Sequence, residues 1–482
     1  MVLKLELMID EGKMKDMYKT IGPYRIYLSK RADGIYQYLP RIPAEYVPIL
    51  PYLRTIYEKY PTANDLKKIG HNLTFEKLYN VVKESILSGI KEVCKKDISE
   101  KFYNIDEIVE LLSWEILGLT RIAPFLLDDE IEEVFIDGVN NPIYARHARF
   151  GICVSDISVL REELDALLTQ VELHKGIGVD TLKGNIESEL EFEKFHLRVN
   201  IDLDPLAVNG PNIVIRNLRK KRFTIVDLIN NGTLSADAAA FLILSSWLKL
   251  NITIAGSIGA GKTTLLNAID MALPKRYRRL YIEDALEAID KRKDGYFQAF
   301  YRAETYSTVI SKRRQITFSL HRSPDVLIFG EILTDSDVKA FFYSLSCGLR
   351  GLQTIHANSV DALFRRWLLY HKVPVDSLKD LDLIVFMKKD LLNKRYVEGI
   401  YEVYVENNYY RVNPIFKWYD GTLMCLKNIS ETLTFKKMLA NLNDKDKLVK
   451  MYFMLIDALS DARDSFYERL NELERVFFET HN

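Results

Sequence analysis

The sequence predicts an α/β fold: a C-terminal domain built on a parallel sheet with crossover helices, preceded by an α+β domain and a small helical N-terminal unit. Three observations carry this. The runs Ile252-Thr-Ile-Ala255, Leu280-Tyr-Ile282, Val326-Leu-Ile-Phe329 and Leu352-Gln-Thr-Ile355 alternate with helix-compatible stretches, which is the pattern of successive βα units. Ile131-Glu-Glu-Val-Phe-Ile136, followed by the turn pair Asp137-Gly138, and Asn212-Ile-Val-Ile-Arg216 read as strands outside that series. Phe75, Leu78, Val82, Ile86 and Ile90 recur at helical spacing near the N-terminus.

At 482 residues the chain is long enough for about three domains. The expected boundaries are a helical unit over 1–104, an α+β domain over 105–218, a linker over 219–224, and a catalytic-type domain with a helical extension over 225–482. Arg219-Lys-Lys-Arg222 could touch phosphates, but a charge run of this kind reads first as a solvated linker. A helix signal follows over 233–248. Near the C-terminus Tyr452, Leu455, Leu459, Ala462, Phe466, Leu470, Leu473 and Phe477 form one apolar helical face, read as core packing because the seam is too short for a partner coiled coil.

Composition excludes several classes. Hydrophobic residues make up 48% of the chain, which supports large cores and argues against disorder. Lys+Arg 66 against Asp+Glu 67 leaves no global positive field, so nucleic acid is not an expected partner. Cys94, Cys153, Cys347 and Cys425 are far apart, which disfavours a zinc ribbon or a disulfide framework and fits a reducing compartment. The N-terminus mixes acids with apolar residues and does not read as a signal peptide. The most apolar stretch, 238–248, is too short to span a bilayer. A cytoplasmic protein is expected, reaching a membrane only through a partner.

The strongest chemical signal is Gly256-Ser-Ile-Gly-Ala-Gly-Lys-Thr263. It follows a strand-like run and precedes Thr264-Leu-Leu-Asn-Ala-Ile269, the setting of a phosphate-binding loop. Gly256, Gly259 and Gly261 allow the backbone of Ser257, Ile258 and Ala260 to turn tightly, so that N–H groups, including those of the helix start at Thr264, face phosphate oxygens. Lys262 would reach the β- and γ-phosphates and Thr263 would ligate Mg²⁺. ATP with Mg²⁺ is the expected ligand.

Such a loop needs acids at neighbouring strand ends. Pro324-Asp-Val-Leu-Ile-Phe-Gly-Glu331 delivers Glu331, the expected catalytic base, to the carboxyl end of a buried strand. Glu283 and Asp284, with Glu287 beyond them, end a second strand; Glu283 and Glu331 would act on the metal through water. Asp284 reads equally well as a helix N-cap. His356 ends a third strand, where it reads either as a structural histidine or as a member of the site.

The order of these pieces resembles the type II/IV secretion ATPase superfamily, whose Walker A, Asp box, Walker B and His box correspond to residues 256–263, 282–287, 324–331 and 354–357. The likeness continues through Phe192-Glu-Lys-Phe-His-Leu-Arg-Val199, Gly210-Pro-Asn-Ile-Val-Ile-Arg216 and Gly232-Thr-Leu-Ser235. Its archaeal pilus and archaellum assembly branch is the most similar. The resemblance implies a RecA-like P-loop ATPase domain behind an α+β domain, a homo-hexameric ring, ATP held between the two domains, and docking on a polytopic membrane platform protein that handles pilin-like subunits. It also assigns Arg198 and Arg216 to the phosphates. Two positions depart from the pattern: Leu333 stands where the family usually has arginine, and Leu349 where its His box usually has histidine.

The expected function is therefore an ATP-hydrolysing motor for assembly of a pilus-like filament or for secretion. Two alternatives stand beside it. One is a DNA-transfer or nucleic-acid translocating ATPase. The other is a nucleotide-binding regulatory subunit with weak turnover, suggested by Leu333 and Leu349.

Overall fold

The computed structural model of the chain describes residues 8, 17–46, 75–93, 105–175, 184–192, 194–208, 210–218, 223–284, 288–303, 311–390, 393–461 and 466–479. Residues 219–222 of the expected linker 219–224, Glu287 and Ala462 lie outside these residues. The chain divides into two compact units, Met1–Lys221 and Arg222–Asn482.

In the N-terminal unit the described strands are β1 (Met17–Ile21), β2 (Tyr24–Lys30), β3 (Tyr36–Arg41), β4 (Ile131–Asp137), β5 (Pro142–His147), β6 (Gly151–Ser158), β7 (Asn185–Phe192), β8 (Phe195–Asp202) and β9 (Asn212–Asn217). They form one sheet in the order β1-β2-β3-β6-β5-β4-β9-β8-β7. In β8 the residues Phe195, Leu197, Val199 and Ile201 are buried while their neighbours are partly open, the period-two pattern of a sheet with one face on a core. Helices Phe75–Val93, Ile105–Ile116 and Arg161–Lys175 supply that core with Phe75, Tyr79, Val82, Trp114, Leu164 and Val171.

The helix expected from Phe75 onward is present, but the helical reading of 1–104 is corrected for residues 17–41. These form the three strands β1 to β3, and β3 joins the sheet by pairing with β6. Tight turns such as Gly22, with φ 49°, break this segment into pieces too short for periodicity to reveal. Its long-range pairing decides the outcome.

The C-terminal unit contains β10 (Ile252–Gly256), β11 (Arg279–Glu283), β12 (Gln298–Arg302), β13 (Val326–Ile332), β14 (Gly351–His356), β15 (Leu383–Lys389), β16 (Arg395–Glu406), β17 (Tyr409–Tyr419) and β18 (Thr422–Cys425). The sheet order is β12-β11-β13-β14-β10-β15-β16-β17-β18. The first six strands are mutually parallel, and the last three extend the sheet antiparallel. All four apolar runs expected to form a parallel sheet lie in that six-stranded part.

Alternate residues of these strands enter two separate apolar clusters. Ile254, Ile328, Leu352 and Val385 join one, and Ala255, Phe329, Ile355 and Phe386 join the other. Parallel strands buried on both faces read as continuous apolar runs for this reason. The helix Ala236–Trp247 is buried on every side from Ala238 onward, and the hydroxyls of Ser245 and Ser246 donate to the Phe241 and Ile243 carbonyls. Its apolarity is that of a core helix. Among the described residues no helix is long and apolar enough to cross a membrane.

The apolar series near the C-terminus occupies two helices, Lys445–Asp461 and Phe466–Glu479, where one long helix was expected. Leu455, Leu459, Phe466, Leu470 and Phe477 all pack into the cluster that contains Trp247, and the Phe477 and Trp247 ring centroids are 5.7 Å apart. Truncating a buried phenylalanine removes both its transfer energy and its packing. Phe477→Ala should therefore lower the stability of the chain by about 3 kcal/mol in urea unfolding, whereas a change within experimental error would mean that the last helix is not part of the core.

Candidate active site

The parallel order β11-β13-β14-β10 brings four strand ends to one edge. Gly256 lies beside His356 in the β10 and β14 register, and Glu331 lies beside Thr354 in β13 and β14. Glu283 ends β11 with its side chain running alongside Gly330 of β13. Ligands of open α/β sheets collect at this carboxyl edge.

The glycine loop leaves β10 there and turns directly into the helix Lys262–Met271. Gly256 is required by proximity, since a Cβ would stand 2.4 Å from the Met387 carbonyl oxygen of β15. Gly261, the helix N-cap, has φ 93°, a left-handed value that costs other residues energy. Ile258 is exposed and Ala260 buried, while Ser257, Thr263 and Thr264 are partly open. The first turn of an α-helix presents unsatisfied N–H groups, and here that turn begins at the loop. Arg395 of β16 adds its Nε, which donates to the Gly259 carbonyl at 2.8 Å.

Lys262 links the loop to the strand ends. Its Nζ donates to the Ser257 carbonyl at 3.1 Å and lies 3.0 Å from His356 Nδ1. An ammonium only donates, so His356 accepts at Nδ1 and carries its proton on Nε2. That Nε2 donates to Glu331 Oε1. A hydrogen-bonded chain Lys262–His356–Glu331 therefore runs from the glycine loop to the end of β13.

Asp284 does not stand free at its strand end: its carboxylate pairs with the Lys312 ammonium, which also donates to the Glu331 carbonyl at 2.6 Å. Glu283 is buried and accepts from the Ala288 N–H at 3.3 Å. Thr354 donates its hydroxyl to the Gly330 carbonyl at 2.7 Å, fixing the strand beside Glu331.

Arg198 and Arg216 belong to the N-terminal unit, on β8 and β9, where they are directly paired in register. Arg216 is held by Glu133, with Nη2 to Oε1 at 2.8 Å, and Arg198 Nε lies 3.5 Å from Glu187. Among the departures from the expected pattern, Leu333 is half exposed and Leu349 packs partly buried against a core cluster. Sequence reasoning missed Lys312 and Arg395. Lys312 sits in Ser-Lys-Arg-Arg, which reads as a solvated charge run, and nothing local marks Arg395.

Burial alone would raise the Glu331 pKa. The hydrogen bond from His356, with the charges of Lys262 and Lys312, outweighs it and holds the carboxyl below its ordinary value. Glu331 thus contributes stability that is present above its unfolded value and lost as the pH falls through its folded one. Wild type should gain more stability between about pH 3 and pH 6 than Glu331→Gln in urea unfolding; equal gains would contradict the assigned charge environment.

Residues 182–372 match the family model of the type II/IV secretion system protein. Two uncharacterized proteins of Methanocaldococcus jannaschii are similar to this chain. One is 33% identical over 180 residues, covering 36% of this chain and 24% of the relative; the other is 25% identical over 356 residues, covering 68% and 63%. Protein VirB11 of Rhizobium radiobacter is 28% identical over 186 residues, covering 37% of this chain and 52% of that protein. The chain thus spans less than two thirds of the length of each of these three relatives. The matched segment, which contains the glycine loop and the strands ending in Glu283, Glu331 and His356, is similar to the type II/IV secretion system protein family.

Proposed function

We propose that this protein is an ATP hydrolase that acts as a motor for assembly of a pilus-like filament or for secretion. The observation that carries the reading is the Lys262–His356–Glu331 chain at the mouth of the glycine loop. It puts a phosphate-type lysine and a carboxylate held ionised within one hydrogen-bonded unit, and an ionised carboxylate is the form that accepts a proton from water.

The residues fit a magnesium nucleotide. The loop 256–263 opens into a ten-residue helix, Lys262–Met271, whose first-turn N–H groups and positive dipole end favour an anion. Thr263 and the water-linked carboxylates Glu283 and Glu331 would hold Mg²⁺, which supplies neutralisation of phosphate charge when bound. Lys262 would exchange its contact with His356 for the β- and γ-phosphate oxygens. His356 would keep the Glu331 carboxylate oriented through Nε2, and Glu331 would orient and deprotonate the attacking water. The part given to Arg198 and Arg216 by the resemblance remains within the proposal and is read from kcat after replacing each with alanine.

The superfamily reading further suggests a homo-hexamer on the cytoplasmic face of a membrane, bound to a polytopic platform protein, in the archaeal pilus-assembly branch. Size-exclusion chromatography with light scattering in the presence of MgATP tests the hexamer. The chemistry is tested by phosphate release. Glu331→Gln should retain MgATP binding but lose about 10²- to 10⁴-fold in kcat, and Lys262→Ala should lose both. Wild-type hydrolysis in either variant would reject the assigned roles.

A further inference from the structure

We infer that Lys312 is a positioning residue for the reaction proposed above, tying the strand end that bears Glu331 to Asp284 and to the start of the following helix. This rests on reading residues 256–263 and Glu331 as an ATP-hydrolysing site.

Lys312 opens the helix Lys312–Ser319, and its side chain has no solvent exposure. An ammonium is costly to bury unless it is paired, and this one has an oxygen for each of its three N–H groups. It donates to the Glu331 carbonyl at 2.6 Å, pairs with the Asp284 carboxylate at the end of β11, and lies 3.5 Å from Asp337 Oδ2. The same Asp337 oxygen accepts from the Leu333 and Thr334 N–H groups at 3.1 and 3.0 Å. It thereby anchors the turn between β13 and the helix Asp335–Ser346.

Each of the three acceptors controls a segment entering the site. Glu331 is clasped at its own backbone, one residue's geometry away from the carboxylate that must face the water. Asp284 is the acid that sequence alone left between a site role and a helix cap; its observed partner is Lys312. Asp337 holds Leu333, the position where the family resemblance leads one to expect an arginine. Since the Leu333 side chain is half exposed, the cation at this strand end comes from a different helix.

Lys312 also contributes to the charge around Glu331. Burial opposes ionisation of that carboxyl, while His356 from β14, Lys262 from the loop and Lys312 favour it. The Lys312 charge is shared with Asp284 and Asp337.

The test uses the full chain, with steady-state ATP hydrolysis, MgATP binding and thermal melting for wild type, Lys312→Met and Lys312→Arg. Displacing a supported catalytic group without touching the ligand costs roughly 10- to 100-fold. Lys312→Met should lose kcat by about that factor and keep KM within about threefold of wild type. Lys312→Arg, which keeps the charge and changes the reach, should still lose several-fold in kcat. A folded Lys312→Met with wild-type kcat overturns the inference. If Lys312→Met does not fold, Lys312→Arg decides, and a kcat within about twofold of wild type overturns it. A wild-type chain that neither binds nor hydrolyses ATP overturns the functional reading and this inference together, whereas an active wild type with unaffected variants removes this inference alone.

Discussion

Parallel alignment of β11, β13, β14 and β10 is the constraint on which the site depends. Parallel strands all end at the same edge, so residues 23 to 100 positions apart in sequence become neighbours once the register is fixed. The register itself is enforced by burial on both faces, where a one-residue slip would move every apolar side chain into the wrong cluster. The polar residues that end these strands, Glu283, Glu331 and His356, stand where the apolar runs stop, and the loop Gly256–Thr263 emerges among them.

An edge with this many carboxylates requires cations. Two lysines supply them from different directions. Lys262 reaches His356 from the loop, and His356 passes a hydrogen bond to Glu331. Lys312 reaches the Glu331 backbone and Asp284 from below the surface. The first lysine is partnered by groups that a phosphate could replace, the Ser257 carbonyl and a neutral imidazole. The second is enclosed by two carboxylates and a carbonyl and has no exposed route to a ligand. The two ammonium groups are therefore suited to different tasks, contact with substrate for one and fixation of geometry for the other.

Much of this was legible in the sequence because the relevant signals are local. An apolar run followed by a glycine loop, or by Glu331 or His356, needs only a few residues to be recognised, and the parallel sheet follows from their alternation. What sequence reasoning missed depends on distant partners. Lys312 lies among charged residues and becomes a buried cation only through Asp284, 28 residues before it, and through Glu331 and Asp337 after it. Strands β1 to β3 are short and broken by turns, and they are strands because β6 accepts β3 as a neighbour. The split of the last apolar face into two helices is likewise invisible to periodicity, since both helices keep the same face on the Trp247 cluster.

In the proposed function Lys262, His356 and Glu331 act as one unit that receives a triphosphate at the glycine loop. A crystal structure of the chain with Mg²⁺ and a non-hydrolysable ATP analogue tests it most directly. Lys262 Nζ should lie within hydrogen-bond distance of a β- or γ-phosphate oxygen, released from His356 Nδ1, with the Glu331 carboxylate facing the terminal phosphate. A nucleotide bound away from residues 256–263, or a Lys262 still joined to His356 beside a bound analogue, would contradict it.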